Sequence, residues 1–592
     1  MKPITHYTRI FLLATIIAPM SFAAVPPAKS ATTDATAEGV TVESAKPERG
    51  PTKETPEQRD ARMRWWREGK FGLFIHWGVY AVPAGKYGGQ DGYGEWIMHS
   101  AKIPVAEYRG FARQFNPLKY DPAAWARTAK DAGMRYMVIT SKHHDGFALF
   151  PSDVTEWDVA DATPYKKDLL GSLVTAAHRE GLKIGFYYSQ AQDWNNPGGA
   201  KARMSEGEGW DDAHKGDFDA YLKNLAVPQV RELLTRYPID ILWWDTPTWM
   251  NPQRTAPLAA LTALRPGLIT NNRLGAGYGG DTATPEQFVP ITGYKGDWET
   301  CMTMNNHWGY NAADQDWKSA ADLIHKLADI CAKGGNFLLN VGPTAEGEIP
   351  APCIERLREM GRWLRTNGEA IYGTSAGPFA HLSWGVATRK GSRLYLHVFE
   401  WPADGRLRVP LQGKVRSATL LADASQKLVL SREPERWVIT VPATGPDPVD
   451  SVVALELEGE PVVAPLPTVG ATASASASLQ GSGPENALDG TSAKRWRAPE
   501  EAKSAWLEVD LGQPKAIRGF GLDEPDVWPR MKQKFTLEVA EAGGWRKVAE
   551  GQTSGHGVSQ NIPIVTARKF RLTMECENGS PGVGELQLYA PE

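Results

Sequence analysis

The sequence predicts a chain of α/β plus all-β class: a (β/α) barrel of the TIM type with one element irregular or missing, then a β-sandwich and a jelly roll. Three observations carry this. Between Trp65 and about residue 372, seven short β-branched or aromatic runs alternate with longer amphipathic stretches, as parallel strands joined by helices would. After "EAIYGT" the long helical patterns stop and short alternating strands take over, a sandwich signature. No glycine-rich fingerprint follows the first run, which disfavours a doubly wound nucleotide-binding sheet. At 592 residues the chain has room for about three or four domains.

The N-terminal residues 1–23 read as a secretory signal. Lys2 and Arg9 precede an apolar run, Ile10 to Met20, and Ser21-Phe22-Ala23 supplies the small residues a signal peptidase needs. The run is too short to span a bilayer comfortably, so secretion to the periplasm is expected, with no membrane anchor. Residues 24–55 are polar and breaker-rich, a linker. The barrel is predicted over 56–373, its strands in "FGLFIHWG" (71–78), "YMVITSKH" (136–143), "KIGFYYS" (183–189), "IDILWWD" (239–245), "GLITNNR" (267–273), "GDWETCM" (296–302) and "FLLNVGP" (337–343). Helical stretches such as "DPAAWARTAKDAG" and "DLLGSLVTAAHREG" end at Gly just before the next strand, a C-terminal stop signal. A β-sandwich follows over 374–460, a Pro/Ala/Ser linker over 461–467, and a second all-β module over 468–592.

Composition narrows the function. With 42% hydrophobic and 23% charged residues the protein is globular, and its net charge of −4 without a long basic run argues against a nucleic-acid partner. Its 22 tryptophans suit cores and also stacking on sugar rings. The four cysteines, Cys301, Cys331, Cys353 and Cys576, show neither a zinc spacing nor a disulfide framework, and allow one bridge at most.

Titratable residues gather at the C-terminal ends of the predicted strands: His76, His143-His144-Asp145, Tyr187-Tyr188-Ser189, Asp245 and Asn271-Asn272-Arg273. In a barrel that rim is where active sites assemble. Trp243 and Asp245 lie two apart, hence on one side of their strand, and offer an indole platform with a carboxylate at its edge. Such a carboxylate can form a covalent glycosyl intermediate if a second carboxyl group protonates the leaving oxygen. Glu286 and Glu299 are the candidates for that acid; Pro285 puts Glu286 in a loop able to reach over the rim, whereas Glu299 falls in a predicted strand. Taken singly these residues have plainer explanations. Asp245 could cap a following helix. The two histidines could bind metal, though adjacent residues on a strand face opposite ways and two ligands rarely suffice. "GGNFLLNVGP" reads as turn and core.

"KFGLFIHWG", "GEW", "SKHHDGF", "YYS", "WWD" and "GGNFLLNVGP" resemble, in order and across about 300 residues, the motif series of the glycoside hydrolase family 29 α-L-fucosidases. The resemblance implies retaining hydrolysis of terminal α-L-fucose from fucosylated glycans, without a catalytic cofactor or metal. Asp245 matches the nucleophile position, and His76, Glu95, Trp96, His143, His144, Tyr188, Trp243 and Arg273 match positions lining the fucose pocket; of the two adjacent tyrosines the second is taken. Glu286, at a family-like interval and ahead of "WETCMTMNNHWGYN", is preferred to Glu299 as the acid/base. A fucose- or galactose-binding lectin on a degenerate barrel, or an exo-glycosidase for another sugar, are the alternatives. "ENALDGTSAKRWRA", "AWLEVDLG" and "GVGELQLYA" resemble the discoidin or coagulation-factor-C-type jelly roll of carbohydrate-binding modules. That likeness implies calcium near Asp489 and Glu585 and makes Trp496 and Trp528 the candidate sugar-facing aromatics. Glycosidic linkage and oligomeric state stay open.

Overall fold

The computed structural model describes residues 54–201, 209–491, 494–524, 532–553 and 557–592. The expected signal over 1–23, the linker up to residue 53 and Trp528 lie outside the described residues.

All seven expected barrel strands form: β1 (Phe71–Ile75), β2 (Tyr136–Lys142), β3 (Lys183–Ser189), β4 (Ile241–Asp245), β5 (Ile269–Thr270), β6 (Glu299–Thr303) and β7 (Asn336–Val341). They build one parallel sheet in the order β5-β4-β3-β2-β1-β7-β6. Every strand buries both faces apart from the edge residue Lys183, which explains why the runs are continuously apolar. Alternation still sorts the two faces. Phe74, Tyr136, Val138, Tyr187, Ile241, Trp243, Ile269, Cys301 and Leu338 share an inner cluster. Their neighbours, among them Ile75, Met137, Phe186, Tyr188, Leu242, Trp244 and Leu339, join the outer one, with the helices. The interior is tight: a Cβ on Gly72 would stand 2.4 Å from the Tyr136 ring, so only glycine fits there.

The helices between strands start and stop on local signals. Asp121, Asp168, Asn251 and Ser319 each accept a backbone N–H at the start of a helix (Pro122–Asp131, Leu169–Arg179, Pro252–Leu261 and Ala320–Ala332). Gly133 and Gly181 follow the first two at φ +87° and +73°, a turn that favours glycine. An earlier helix, Pro56–Gly69, opens on a Thr55–Gln58 capping box and sends Met63 and Trp66 into the inner cluster.

No regular ladder joins β5 to β6. Residues 281–287 fill that gap instead, through the single parallel bridges Asn271–Thr282, Ala283–Trp298 and Glu286–Cys301. This segment is the irregular eighth stave that the sequence pattern left missing.

Beyond the barrel, Ser375–Ala376, Gly385–Lys390, Arg393–Val398, Lys414–Leu420, Asp423–Lys427 and Ser451–Glu458 form one antiparallel sheet, and Arg406–Val409, Val429–Glu433 and Arg436–Thr440 a second, around a shared apolar cluster. The last module is built on the long strands Ser504–Asp523 and Val558–Cys576, with Gln533–Glu541, Gly544–Gln552, Thr472–Ala475 and Glu585–Tyr589 added around them. Trp496 does not face sugar. It is fully buried in that module's core, its Nε1 donating to the Ala477 carbonyl at 3.1 Å. Among the described residues, no helix is long and apolar enough to cross a membrane.

Candidate active site

Because inner-face parity continues past the strand ends, it delivers His76 after Phe74, Asp245 after Trp243 and Asn340 after Leu338 to the same mouth. Asp245 caps no helix; Asn251 does. Its carboxylate is held from several sides. Tyr187 Oη donates to Oδ2 at 2.8 Å, Arg273 Nη1 donates to Oδ1 at 2.9 Å, and His144 Nε2 stands 3.6 Å from Oδ2. Thr246, directly after it, sits at φ 51°, a strained conformation for a β-branched residue.

Arg273 joins the two carboxylates the sequence paired. Its Nη1 lies 2.9 Å from Asp245 Oδ1 and 2.9 Å from Glu286 Oε2. Those oxygens are therefore no more than twice that distance apart, in keeping with the roughly 5–5.5 Å between carboxyl groups that retention needs. Burial opposes the Arg273 charge, but Glu286 and Asp245 outweigh it and keep the guanidinium ionised. Thr284 fixes the other edge of that guanidinium, accepting from Nε at 2.8 Å and from Nη2 at 2.9 Å. Glu286 is the more open carboxylate, its side chain 26% exposed against 12% for Asp245.

Glu299, the other candidate acid, lies elsewhere. It starts β6 inside the barrel, where its carboxylate accepts from the Tyr136 hydroxyl and, at 3.3 Å, from Trp243 Nε1. Burial pushes it up to about 7. Since β6 only begins there, Glu299 belongs to the closed end of the barrel and not to the rim.

Tyr188 is likewise corrected. Register pairs Tyr187 with Trp243 and Tyr188 with Trp244, and residues paired in a parallel sheet share a face. Tyr188 therefore points outward, donating to Gln229 Oε1 at 2.8 Å on the helix Val227–Arg236. Tyr187 is the tyrosine of the site. Trp243 is no open platform: only 3% exposed, it stacks on Tyr187 at 5.7 Å and carries the Arg273 guanidinium 4.8 Å over its ring. It forms the floor under the charged groups.

The histidines surround this floor. Asn340 Nδ2 donates to the Trp308 carbonyl at 2.8 Å, so its Oδ1 accepts from His76 Nδ1 at 2.7 Å. Burial pushes His76 down to about 4, leaving a neutral ring with Nε2 free to accept. His143 and His144 lie beyond the end of β2, their rings 4.1 Å apart. His144 Nδ1 donates to Ser189 Oγ at 2.7 Å, because that hydroxyl already donates to the Gln192 carbonyl. His143 stacks on Tyr187 at 5.5 Å, and its Nδ1 is buried with no hydrogen-bond partner, a polar atom whose solitude is costly unless something else binds it. Glu95 Oε2 accepts the Gly309 N–H at 2.9 Å; burial raises its pKa and the Glu286 charge adds to this. Trp96 packs edge-on against His144 at 5.2 Å.

Tyr187 was among the strand-end residues and was passed over for its neighbour, and two site residues escaped the sequence reading altogether: Asn340 and Trp308, whose ring lies 4.9 Å from His76. Alternation along β7 could have found Asn340, two residues after the inner-face Leu338. Trp308 follows β6 in a loop with no local signal. Among the described residues, no group of three or more His, Cys, Asp or Glu side chains is placed to hold a metal ion.

The chain matches the alpha-L-fucosidase family over residues 39–369 and the F5/8 type C domain over 470–586. An alpha-L-fucosidase of Branchiostoma floridae is 32% identical over 423 residues, covering 66% of this chain and 89% of that protein. The alpha-L-fucosidase isoenzyme 1 structure from Paenibacillus thiaminolyticus is similar at 38% identity and a TM-score of 0.61, over 68% of this chain and 100% of that one. A Bacteroides thetaiotaomicron alpha-L-fucosidase, 32% identical with a TM-score of 0.61 over 68% of this chain and 97% of its own, was captured as a covalent intermediate with 2-fluoro-fucosyl fluoride in a glutamate-to-glutamine variant.

Proposed function

As a member of the alpha-L-fucosidase family, the chain is a retaining α-L-fucosidase acting on fucosylated glycans, and we propose that Asp245 is its nucleophile and Glu286 its acid/base. The observation that supports both roles is the single Arg273 nitrogen bonded to both carboxylates at the barrel mouth. In the first step an Asp245 oxygen attacks the anomeric carbon while Glu286 gives its proton to the departing glycosidic oxygen. In the second, the Glu286 carboxylate takes a proton from water, which displaces Asp245 and releases fucose of retained configuration. Tyr187 and Arg273 orient the nucleophile. His76 Nε2, His143, His144, Glu95 and the Trp96 and Trp308 rings would meet the sugar's hydroxyls and apolar edge, over the Trp243 floor.

Asp245→Ala is expected to lower kcat by on the order of 10⁴ or more with the melting temperature kept, and azide should restore turnover with product of inverted configuration. Near-normal activity in that variant would refute the assignment. Glu286→Ala should keep its kcat/KM on aryl fucosides with acidic phenols but lose kcat, because no base activates water in the second step, and azide should restore turnover with product of retained configuration.

Two finer parts of the reading concern the rest of the chain. The signal pattern over residues 1–23 supports export to the periplasm, which cell fractionation would test. In the C-terminal module Glu585 is buried and accepts the Gly490 N–H at 3.2 Å. Burial, with Asp489 and Asp523 adding to it, pushes its carboxyl up to about 8. A buried carboxyl beside further negative charge suits an oxygen-liganded cation. Asp489 and Glu585 would hold calcium there with backbone oxygens, and it would supply structural charge balance, no part of catalysis.

A further inference from the structure

The segment bearing Glu286 is the least regular part of the barrel wall. It meets β6 and the residue before it through the single bridges Ala283–Trp298 and Glu286–Cys301, and Pro285 has no N–H to contribute. Gln287, directly after the acid, sits at φ 67°, which strains a residue other than glycine. Besides the Thr284–Arg273 contact and the backbone bonds to β6, two further anchors hold the part of the segment that follows the acid. One is internal: Gln287 Oε1 accepts the Thr303 N–H at 3.2 Å, and Thr300 Oγ1 donates to the Phe288 carbonyl at 3.1 Å.

The other comes from the C-terminal module. Asp523 Oδ1 accepts the Ile291 N–H at 3.1 Å, and the Ile291 side chain, only 7% exposed, enters a socket beside Gly521, Gly557 and Tyr589. A Cβ on Gly521 would stand 3.0 Å from Ile291 Cδ1, and one on Gly557 would stand 2.6 Å from Asp523 Oδ1. Both glycines thus leave the space the contact uses. Tyr589 in turn stacks on His381 of the middle sandwich at 4.2 Å and 6°, so the C-terminal module touches both the barrel and the middle sandwich here.

We propose that the C-terminal module braces the acid/base, with Asp523 as a positioning residue that fixes the Glu286 segment through Ile291. This rests on the reading of Glu286 as acid/base. A general acid works only within hydrogen-bond reach of the leaving oxygen, and a misplacement of about 1 Å can cost about a hundredfold. Removing Asp523 leaves the Ile291 N–H without this acceptor and frees the far end of a strained segment whose near end carries the acid. The loss has a chemical signature. A basic leaving oxygen, as in an alkyl or sugar fucoside, needs the proton; an acidic phenol departs without it.

The test measures kcat/KM, which reports cleavage of the glycosidic bond and excludes breakdown of the intermediate, with full-length protein and two probes: a nitrophenyl α-L-fucoside and methyl α-L-fucoside. Asp523→Ala and Ile291→Ala are expected to lower kcat/KM for the methyl fucoside by about ten- to a hundredfold and for the nitrophenyl fucoside by less than about threefold. Asp523→Asn, which keeps an acceptor oxygen, should restore the methyl fucoside rate. Ile291→Ala, which empties the socket and leaves Asp523 in place, carries the test if Asp523→Ala does not fold. Equal losses on both probes, or none, overturn the brace. Glu286→Ala is the reference: if it lacks the leaving-group dependence, the assignment of Glu286 fails, and if it shows that dependence while the Asp523 and Ile291 variants do not, only the brace fails.

Discussion

Tyr187 and Tyr188 stand one position apart in sequence and on opposite sides of the barrel wall. The first gives its hydroxyl proton to Asp245 Oδ2 at 2.8 Å; the second gives its own to Gln229 Oε1 at 2.8 Å, among outer helices. A hydrogen bond to a charged group contributes about 1.5–3 kcal/mol, so Tyr187→Phe is expected to lower kcat/KM by about ten- to a hundredfold with little change in melting temperature. Tyr188→Phe should leave kcat/KM within about twofold and cost roughly 1 kcal/mol of stability. Kinetics and thermal melts on the pair check this, and the reverse pattern would sink the inner-face assignment. The choice of tyrosine was legible only in part. Trp243 and Asp245 share parity, and pairing of β3 with β4 carries that parity to Tyr187 and leaves Tyr188 with Trp244. What the sequence could not supply was the register between the two strands, which depends on where each βα loop lets its strand begin. Trp308 shows a harder limit, because a loop has no period from which to read a direction.

At the scale of elements, seven staves were readable because a strand buried on both faces must be apolar throughout. The eighth was not, because "DTATPEQ" has neither an apolar run nor alternation and bonds its neighbours at isolated points. Asp281 N–H goes to the Thr270 carbonyl at 2.7 Å, Glu299 N–H to Ala283 at 2.9 Å and Cys301 N–H to Pro285 at 3.1 Å. The same irregularity that hid this element lets Glu286 lean towards Arg273, which a regular strand ending lower in the wall would not. Glu299 shows the converse: it belongs to a real strand and is for that reason kept inside. Local opening free energy follows the density of buried contacts and bonds. Amide exchange followed by mass spectrometry should therefore find peptides over 281–287 losing protection well before those of β1 to β4, and sooner still in Asp523→Ala. Equal protection along the whole wall would mean the segment is as rigid as the ladder strands and needs no outside anchor.

At the scale of the whole molecule, separate apolar clusters in the barrel, the middle sandwich and the C-terminal module supply cohesion without cross-links. The change of punctuation after "EAIYGT" announced the succession of modules, but not their meeting at Ile291, since contact between modules leaves no periodic trace in either. The cysteines make the cohesion testable. All four, Cys301 in β6, Cys331 and Cys353 in outer helices and Cys576 in the C-terminal module, are buried and form no disulfide. Burial pushes the Cys331 and Cys353 thiols up to about 12 and raises Cys301 and Cys576 as well. The thiolate is the reactive form, so these groups resist oxidation twice over, by lack of access and by lack of charge. A thiol reagent should titrate none of the 4 cysteines in the native protein within minutes and all of them in denaturant, and a reductant should leave the melting temperature unchanged. Fast labelling of the native protein would show a module opening far more often than its buried core allows, and a drop in melting temperature on reduction would reveal a bridge where the fold places four isolated thiols.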